Sequence, residues 1–410
     1  MKYLKYGFRF FKKWWGLNIL LAAEIIVTLH IFNLSIGRTN MQYQSINLFS
    51  NLTEYKGVYY VPQSNFEHLP HDHLEDKTET KNKVFDSLIG IENVASIQKM
   101  SLIDESRHVV DVIVYPDYLI DKMPNFFAKD VWQNMNDFKD NTLPVVVLDG
   151  IFSDNYQSGK MIVAGSEKEG EETLICNVDI RGSAKTGNKY LSFSSSGDSL
   201  NCMHLFRTHD DRFVEAPLFL TLQSAVEPFS QYIYWTMDNK FIFFDKNITE
   251  DEYRYNIEKL RETGITATFD EIYREGLATV KSDTSSLLSV TLCFLLIAII
   301  GLISIIILNT LRHLTTFSIY FICGCRWNNC ILIIISYLLY IVALVGIGTG
   351  IIWGVMILQD SLFKMQLLVN SKNIWFSLIM VVCIAISAIL PAFVALKVKS
   401  PIQTLHEKDR

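Results

Sequence analysis

Residues 16–36 read GLNILLAAEIIVTLHIFNLSI, 21 positions with one acid, Glu24, and no base. About twenty such residues in an α-helix cross the hydrocarbon core of a bilayer, so this stretch decides the class of the chain. A cleaved secretory signal fits it poorly. The apolar run is too long, and Gly37-Arg38-Thr39-Asn40 offers no small-x-small cleavage site. Three more windows reach the same standard. Residues 287–311 are apolar apart from Ser, Thr, Cys and Asn309. Residues 331–358 hold no charge over 28 positions, and residues 374–396 complete the set. The expectation is four transmembrane helices.

The flanks orient them. Lys2, Lys5, Arg9, Lys12 and Lys13 precede the first span without an acid, and Arg312 and Arg326 lie in 312–330 without one. The tail, 397–410, carries Lys397, Lys399, Lys408 and Arg410 against Glu407 and Asp409. The positive-inside rule places all three segments in the cytoplasm, with both termini inside and 359–373 as a short external loop. Residues 1–15, MKYLKYGFRFFKKWW, set Lys5, Arg9, Lys12 and Lys13 on one side at helical spacing. Tyr3, Leu4, Phe8, Phe11 and Trp15 supply the bulk, which predicts an interfacial helix on the inner leaflet.

Residues 37–286 hold 24 basic and 39 acidic side chains, a balance of −15, whereas the rest of the chain holds 13 basic and 4 acidic. The mean hydropathy of +0.21 therefore averages two different materials, and a single soluble globule is excluded. An acidic pI near 5.9 argues against nucleic acid. The outer block is long enough to bury a core. Strand-like stretches recur at 56–63, 109–114, 143–148, 174–180, 218–222, 241–244 and 265–269. Between the last two, Thr249 and Glu252 form a capping box ahead of a helix that Gly264 closes. These features predict an α+β extracytoplasmic domain between spans one and two, running through 272–282 into the second. The Gly-, Ser- and Asn-rich stretch 151–215 reads as an inserted loop-rich subdomain. Cys176 and Cys202 fall in it on the oxidising side, where a disulfide and two free thiols are equally compatible with the sequence.

Chemistry-bearing motifs are sparse, and no enzyme activity is expected. Gly182 to Lys189 opens like a phosphate loop, but Asn188 stands where Lys is required. His68, His71 and His73 (EHLPHDH, 67–73) lack the helical register of a zinc protease, and Pro70 breaks any helix, so the stretch reads as a polar loop. His313, Cys323, Cys325 and Cys330 do not have zinc-knuckle spacing. Within the spans, Glu24 lies about 13 Å above Trp15 at helical rise, near mid-bilayer. It reads as hydrogen-bonded across a helix contact at a subunit interface rather than as a proton relay. Gly346, Gly350 and Gly354 form a small-xxx-small face for close helix packing.

The whole layout resembles the FtsX-like/MacB-type permease subunits of ABC transporters: an interfacial helix, one span, a large outer domain like the MacB-type periplasmic core, then three spans. Two local stretches carry the resemblance. SIYFICGCRWNNCI (318–331) is similar to the family's inner-loop pattern, with Gly324 and Arg326 in the matching places. Lys399 to Leu405 is similar to its terminal Pro-x-x-x-Leu. Departures are Thr316 or a neighbour for an acid, Phe321 for an Arg, and His406 for a terminal Arg.

The resemblance implies a subunit that pairs with a second permease copy or paralogue and with cytosolic ABC ATPases. ATP and Mg would be bound by the ATPase and no cofactor by this chain. Coupling would fall on Phe317, Tyr320, Phe321, Gly324, Arg326 and Trp327. It also implies a multi-pass protein of the bacterial plasma membrane, in contact with lipid and with an extracytoplasmic adaptor or peptide substrate. Export of a peptide, lipoprotein or other amphiphile by mechanotransmission is the leading expectation. The alternative is a division-type regulator that activates a cell-wall hydrolase without transport.

Overall fold

The computed structural model describes residues 2–62, 84–105, 107–126, 132, 135, 141–148, 158–164, 174–184, 189–191, 201–208, 218–233, 235–236, 239–358 and 371–398. The EHLPHDH stretch, most of the 359–373 loop, residues 185–188 of the phosphate-loop lookalike and the 399–405 motif lie outside these residues.

In chain order the helices are α1 (Lys2–Lys13), α2 (Trp15–Ser50), α3 (Asp117–Asp121), α4 (Cys202–Leu205), α5 (Gln223–Val226), α6 (Glu250–Arg261), α7 (Phe269–Arg312), α8 (Leu314–Ile322), α9 (Trp327–Leu358) and α10 (Ser371–Val398). The first strands are β1 (Gly57–Pro62), β2 (Ile91–Ala95), β3 (Gln98–Ile103), β4 (Val109–Tyr115), β5 (Thr142–Leu148), β6 (Gly159–Val163) and β7 (Ile175–Ala184). They are followed by β8 (Lys189–Leu191), β9 (Phe206–Thr208), β10 (Phe219–Leu222), β11 (Trp235–Thr236), β12 (Lys240–Phe244) and β13 (Gly264–Thr268). The chain divides into two compact units, Met1–Asn40 with Ser282–Arg410, and Met41–Lys281.

The first unit is helical. Among the described residues three helices are long and apolar enough to cross a membrane, within Trp15–Glu54, Phe269–Arg312 and Asn329–Val355. The described apolar stretch of α10, Trp375–Ser387, is shorter. Leu21, Ile25 and Leu29 of α2, Ala298, Leu302 and Ile306 of α7, and Ile341 and Val345 of α9 form its core. Polar side chains tie α2 to its neighbours: Asn33 Nδ2 donates to Ser377 Oγ of α10 at 2.9 Å, and the Ser35 and Thr291 hydroxyls of α2 and α7 meet at 3.3 Å. Arg38 and Asp283 approach to 3.6 Å. The basic helix α1 leaves Tyr3, Leu4 and Phe8 exposed and packs its other aromatic residues on the bundle. Tyr6 meets Tyr320, Phe10 meets Phe317 and Phe11 meets Tyr340, while Gly7 lets the backbone lie directly on Ser336.

The second unit is sheet-rich. One sheet has the order β13-β1-β12-β2, antiparallel throughout. The strand period of two sends Val58, Tyr60, Ile242 and Phe244 toward Ile257 and Leu260 of α6, and Tyr59, Phe241 and Phe243 to the other face. The larger sheet has the order β11-β3-β4-β10-β5-β7-β6, and β6 pairs again with β3, Leu102 opposite Val163, so six strands close on themselves. Closure removes the exposed edges that an open sheet of this size would present. Met100, Val112, Val145, Met161, Cys176 and Phe219 fill the interior. Ile113, Tyr115, Val146, Leu148, Leu220 and Leu222 point outward into the core that holds Tyr59 and Phe241. Burial on both faces explains why β5 reads LPVVVL without polar alternation.

Two expectations are corrected here. Within the described part of 151–215, β6 and β7 do not form a separate insert but are barrel staves paired to β3 and β5. Gly264 does not cap α6, which ends at Arg261 with Glu262 as its C-cap; it begins β13, where any Cβ would strike the Val61 carbonyl of β1. The Thr249–Glu252 capping box is present in both directions.

Candidate functional site

The segment 312–330, expected to meet a partner, folds as α8, a turn and the first residues of α9. The apolar sequence LTTFSIYFI turns Leu314, Phe317 and Ser318 inward at helical spacing and leaves Ile319, Phe321 and Ile322 outside. The helix stops at Gly324, whose φ of +90° is costly for any side chain. Gly324 N–H donates to the Phe321 carbonyl and Cys325 N–H to the Tyr320 carbonyl, each at 2.9 Å, the paired bonds of a Schellman closure.

The residues singled out for coupling therefore separate into two groups. Phe317 is 1 % exposed and edge-on to Phe10 at 5.8 Å, and Tyr320 is edge-on to Tyr6 at 5.8 Å. Both hold α8 against α1 instead of facing outward. Phe321, Gly324 and Arg326 are exposed, and the side chain of Trp327 lies outside the described residues. Ile319 and Ile322, the latter 62 % exposed, join Phe321 on the open side. Sequence reasoning passed over these two because a uniformly apolar helix does not show which stripe is buried. Helical spacing from Phe317 is the signal that finds them.

Behind this surface sits His313, which stacks on Phe10 at 4.3 Å. It is buried, and its Nε2 has no hydrogen-bond partner. Burial, then the nearby Lys13 charge, holds its pKa below the usual imidazole value. A cavity of about 20 Å³ lies between Phe10, Asn309, His313, Phe317 and Tyr337, room for a single water. A polar chain leads away from it. Asn309 Nδ2 donates to the Tyr337 phenol at 3.0 Å, the phenol donates to Asn18 Oδ1 at 2.5 Å, and Asn18 Nδ2 donates to the Phe11 carbonyl at 2.9 Å. One chain of hydrogen bonds thus links α7, α9, α2 and α1 beside the candidate surface.

No protein-family model matches the chain, and no curated protein matches it. Its reading rests on geometry alone.

The residues expected to pack helices are placed differently from one another. Nothing lies within 4 Å of the position a Cβ would take on Gly346, Gly350 or Gly354. The close approach uses Gly348 instead, where such a Cβ would sit 2.5 Å from Ile26 of α2. The Glu24 carboxyl lies against Gly301 of the same chain, 3.0 Å from the corresponding point. The glycine at 301 is what allows α2 and α7 to approach with a carboxyl between them.

Cys176 and Cys202 are both free thiols, which corrects the disulfide alternative. Cys176 fills the barrel interior while Cys202 belongs to the core outside it, so the sheet separates them. Burial pushes both thiols up to about 11. Beside Cys202 is Lys189, 6 % exposed, whose ammonium donates to Ser45 Oγ at 2.5 Å and whose pKa burial lowers to about 8.

Proposed function

We propose that the chain is the permease subunit of an ABC transporter of mechanotransmission type, with four spans, both termini in the cytoplasm and the sheet-rich unit outside a bacterial plasma membrane. In this reading α10 is the fourth span. The observation that carries it is the continuity of two helices. Helix α2 runs unbroken from Trp15 to Ser50 and α7 from Phe269 to Arg312, each far longer than a bilayer requires. Beyond their apolar stretches, Ile46 and Phe49 of α2 and Phe269, Ile272 and Val280 of α7 are buried in one core with Tyr59 and Phe241 of the sheet. In this reading, displacement of either helix along its axis is passed to that core, since packed interiors do not deform continuously.

The exposed surface of Ile319, Phe321, Ile322 and Arg326 is where a separate ATPase docks in this reading. An apolar patch rimmed by a base, next to a buried joint of four helices, suits transient contact with a cytosolic partner. Export of a peptide, lipoprotein or other amphiphile follows from the same arrangement, because the substrate need not pass between the helices. Affinity purification from the native host in mild detergent tests the proposal. An ATP-binding subunit should co-purify with the wild-type chain and be lost with Ile322→Asp. A wild-type chain that brings down no such subunit overturns it.

A further inference from the structure

The sheet-rich unit carries a groove that the permease reading leaves unused. Strands β4 and β10 run parallel, Phe219–Leu222 beside Val112–Tyr115, so their carboxyl ends open on the same side. The carboxyl ends of parallel strands are where α/β sheets hold ligands, because the connections diverge there and leave space. Asp117 follows β4 and Ser224 follows β10. Ser224 donates to the Asp117 carboxylate twice, from its backbone N–H at 3.0 Å and from its hydroxyl at 2.5 Å. This pair fixes the mouth of a groove of about 460 Å³, within the size range of ligand sites.

The charged side chains of the lining, Asp117 and Glu227, are both acids, and Gln223 and Ser230 add groups that donate as well as accept. Gln98 of β3 borders the groove, and its buried Oε1 has no hydrogen-bond donor among the described residues. A buried acceptor left without a donor is costly, and a donor arriving in the groove removes that cost. Glu227 adds an exposed carboxylate, Ile233 adds an apolar edge, and among the described residues no Lys or Arg lines the space. Acids without a lining base beside an apolar edge suit a guest with a long apolar stem ending in a cationic donor. The −15 balance of residues 37–286 draws the same kind of guest from a distance.

We propose that the groove at the carboxyl ends of β4 and β10 binds a lysine or arginine side chain of a cationic peptide, the stem along Ile233 and the head between Glu227 and Gln98. This goes beyond the permease reading and holds whether or not an ATPase partner exists.

The test uses the full chain in lipid nanodiscs, with the anisotropy of a fluorescein-labelled Gly-Arg repeat peptide at ionic strength near 0.1 M, where diffuse surface attraction is screened beyond about 10 Å. Wild type should bind it and not a Gly-Glu repeat. Glu227→Gln should weaken binding about tenfold and Gln98→Leu several-fold, the scale of one charge-assisted hydrogen bond. Glu258→Gln on the exposed side of α6 makes the same change in net charge and should leave affinity within about twofold, as for a screened distant charge. The proposal is overturned if wild type does not bind the Gly-Arg peptide, if Glu227→Gln and Glu258→Gln weaken it alike, or if neither groove variant changes it.

Discussion

Tyr337 of α9 donates its phenol to Asn18 Oδ1 of α2 at 2.5 Å while accepting from Asn309 of α7, so one side chain joins three long helices. Asn18 is wholly buried, and in Tyr337→Phe its carbonyl oxygen would lose its donor. The expected cost is about 1–2 kcal/mol, the range for polar bonds between apolar helices. Thermal unfolding of the purified chain should show a clear drop for Tyr337→Phe. Tyr340→Phe, which removes only a longer, exposed bond to the Leu4 carbonyl at 3.3 Å, should change little.

His313 makes the joint sensitive to acid. Its folded pKa is held below the unfolded value near 6.5, so the unfolded chain takes up the proton first as pH falls. The contribution of a neutral His313 is therefore complete above about pH 7 and is lost as pH drops below 6.5 toward the lowered value. His313→Gln, which cannot titrate, should flatten the pH dependence of the unfolding temperature between pH 7 and 5. An unchanged slope would show that other groups set it.

Lys189 acts in the opposite pH range. Its pKa falls from an ordinary 10.5 to about 8, so between those values only the unfolded chain keeps the proton. Stability should decline as pH falls through that window and level off below it, with a full penalty on the order of 3 kcal/mol. Lys189→Met removes the penalty but leaves Ser45 without its donor, a loss of about 1 kcal/mol. The variant should be the more stable protein at pH 7.5 and lose its advantage above pH 10, as read by denaturation of the full chain.

Glycines of α9 should divide by what faces them. Gly348→Leu forces a side chain into Ile26 and should destabilise the chain itself by about 1–3 kcal/mol, the usual cost of overpacking. Gly346→Ala and Gly350→Ala add a Cβ that meets nothing within 4 Å among the described residues and should not lower its unfolding temperature. If those two positions pack a second copy, cross-linking between copies will fall in the same variants.

Legibility followed the range of the interactions. The apolar runs of α2, α7 and α9 stand out because about twenty largely apolar neighbours need no partner to be recognised. The α6 capping box was equally visible, since Thr249 and Glu252 satisfy each other within one turn. The close contact at Gly348 was not visible, because glycines at four-residue spacing mark a face without saying which helix lies on it. Nor did a uniformly apolar α8 show that Phe317 turns inward and Ile322 outward.

By itself, then, the chain's composition and spacing determined long apolar helices, a charge-segregated sheet-rich block and most of its strands. Pairing over long separations belonged to the tertiary structure. It closed β6 onto β3, set Cys176 and Cys202 on opposite sides of a sheet, and brought Ile46 and Ile272 into one core. The reason is physical: local patterns fix which face of an element avoids water, but many partners can cover that face. Only simultaneous packing of all the elements selects one.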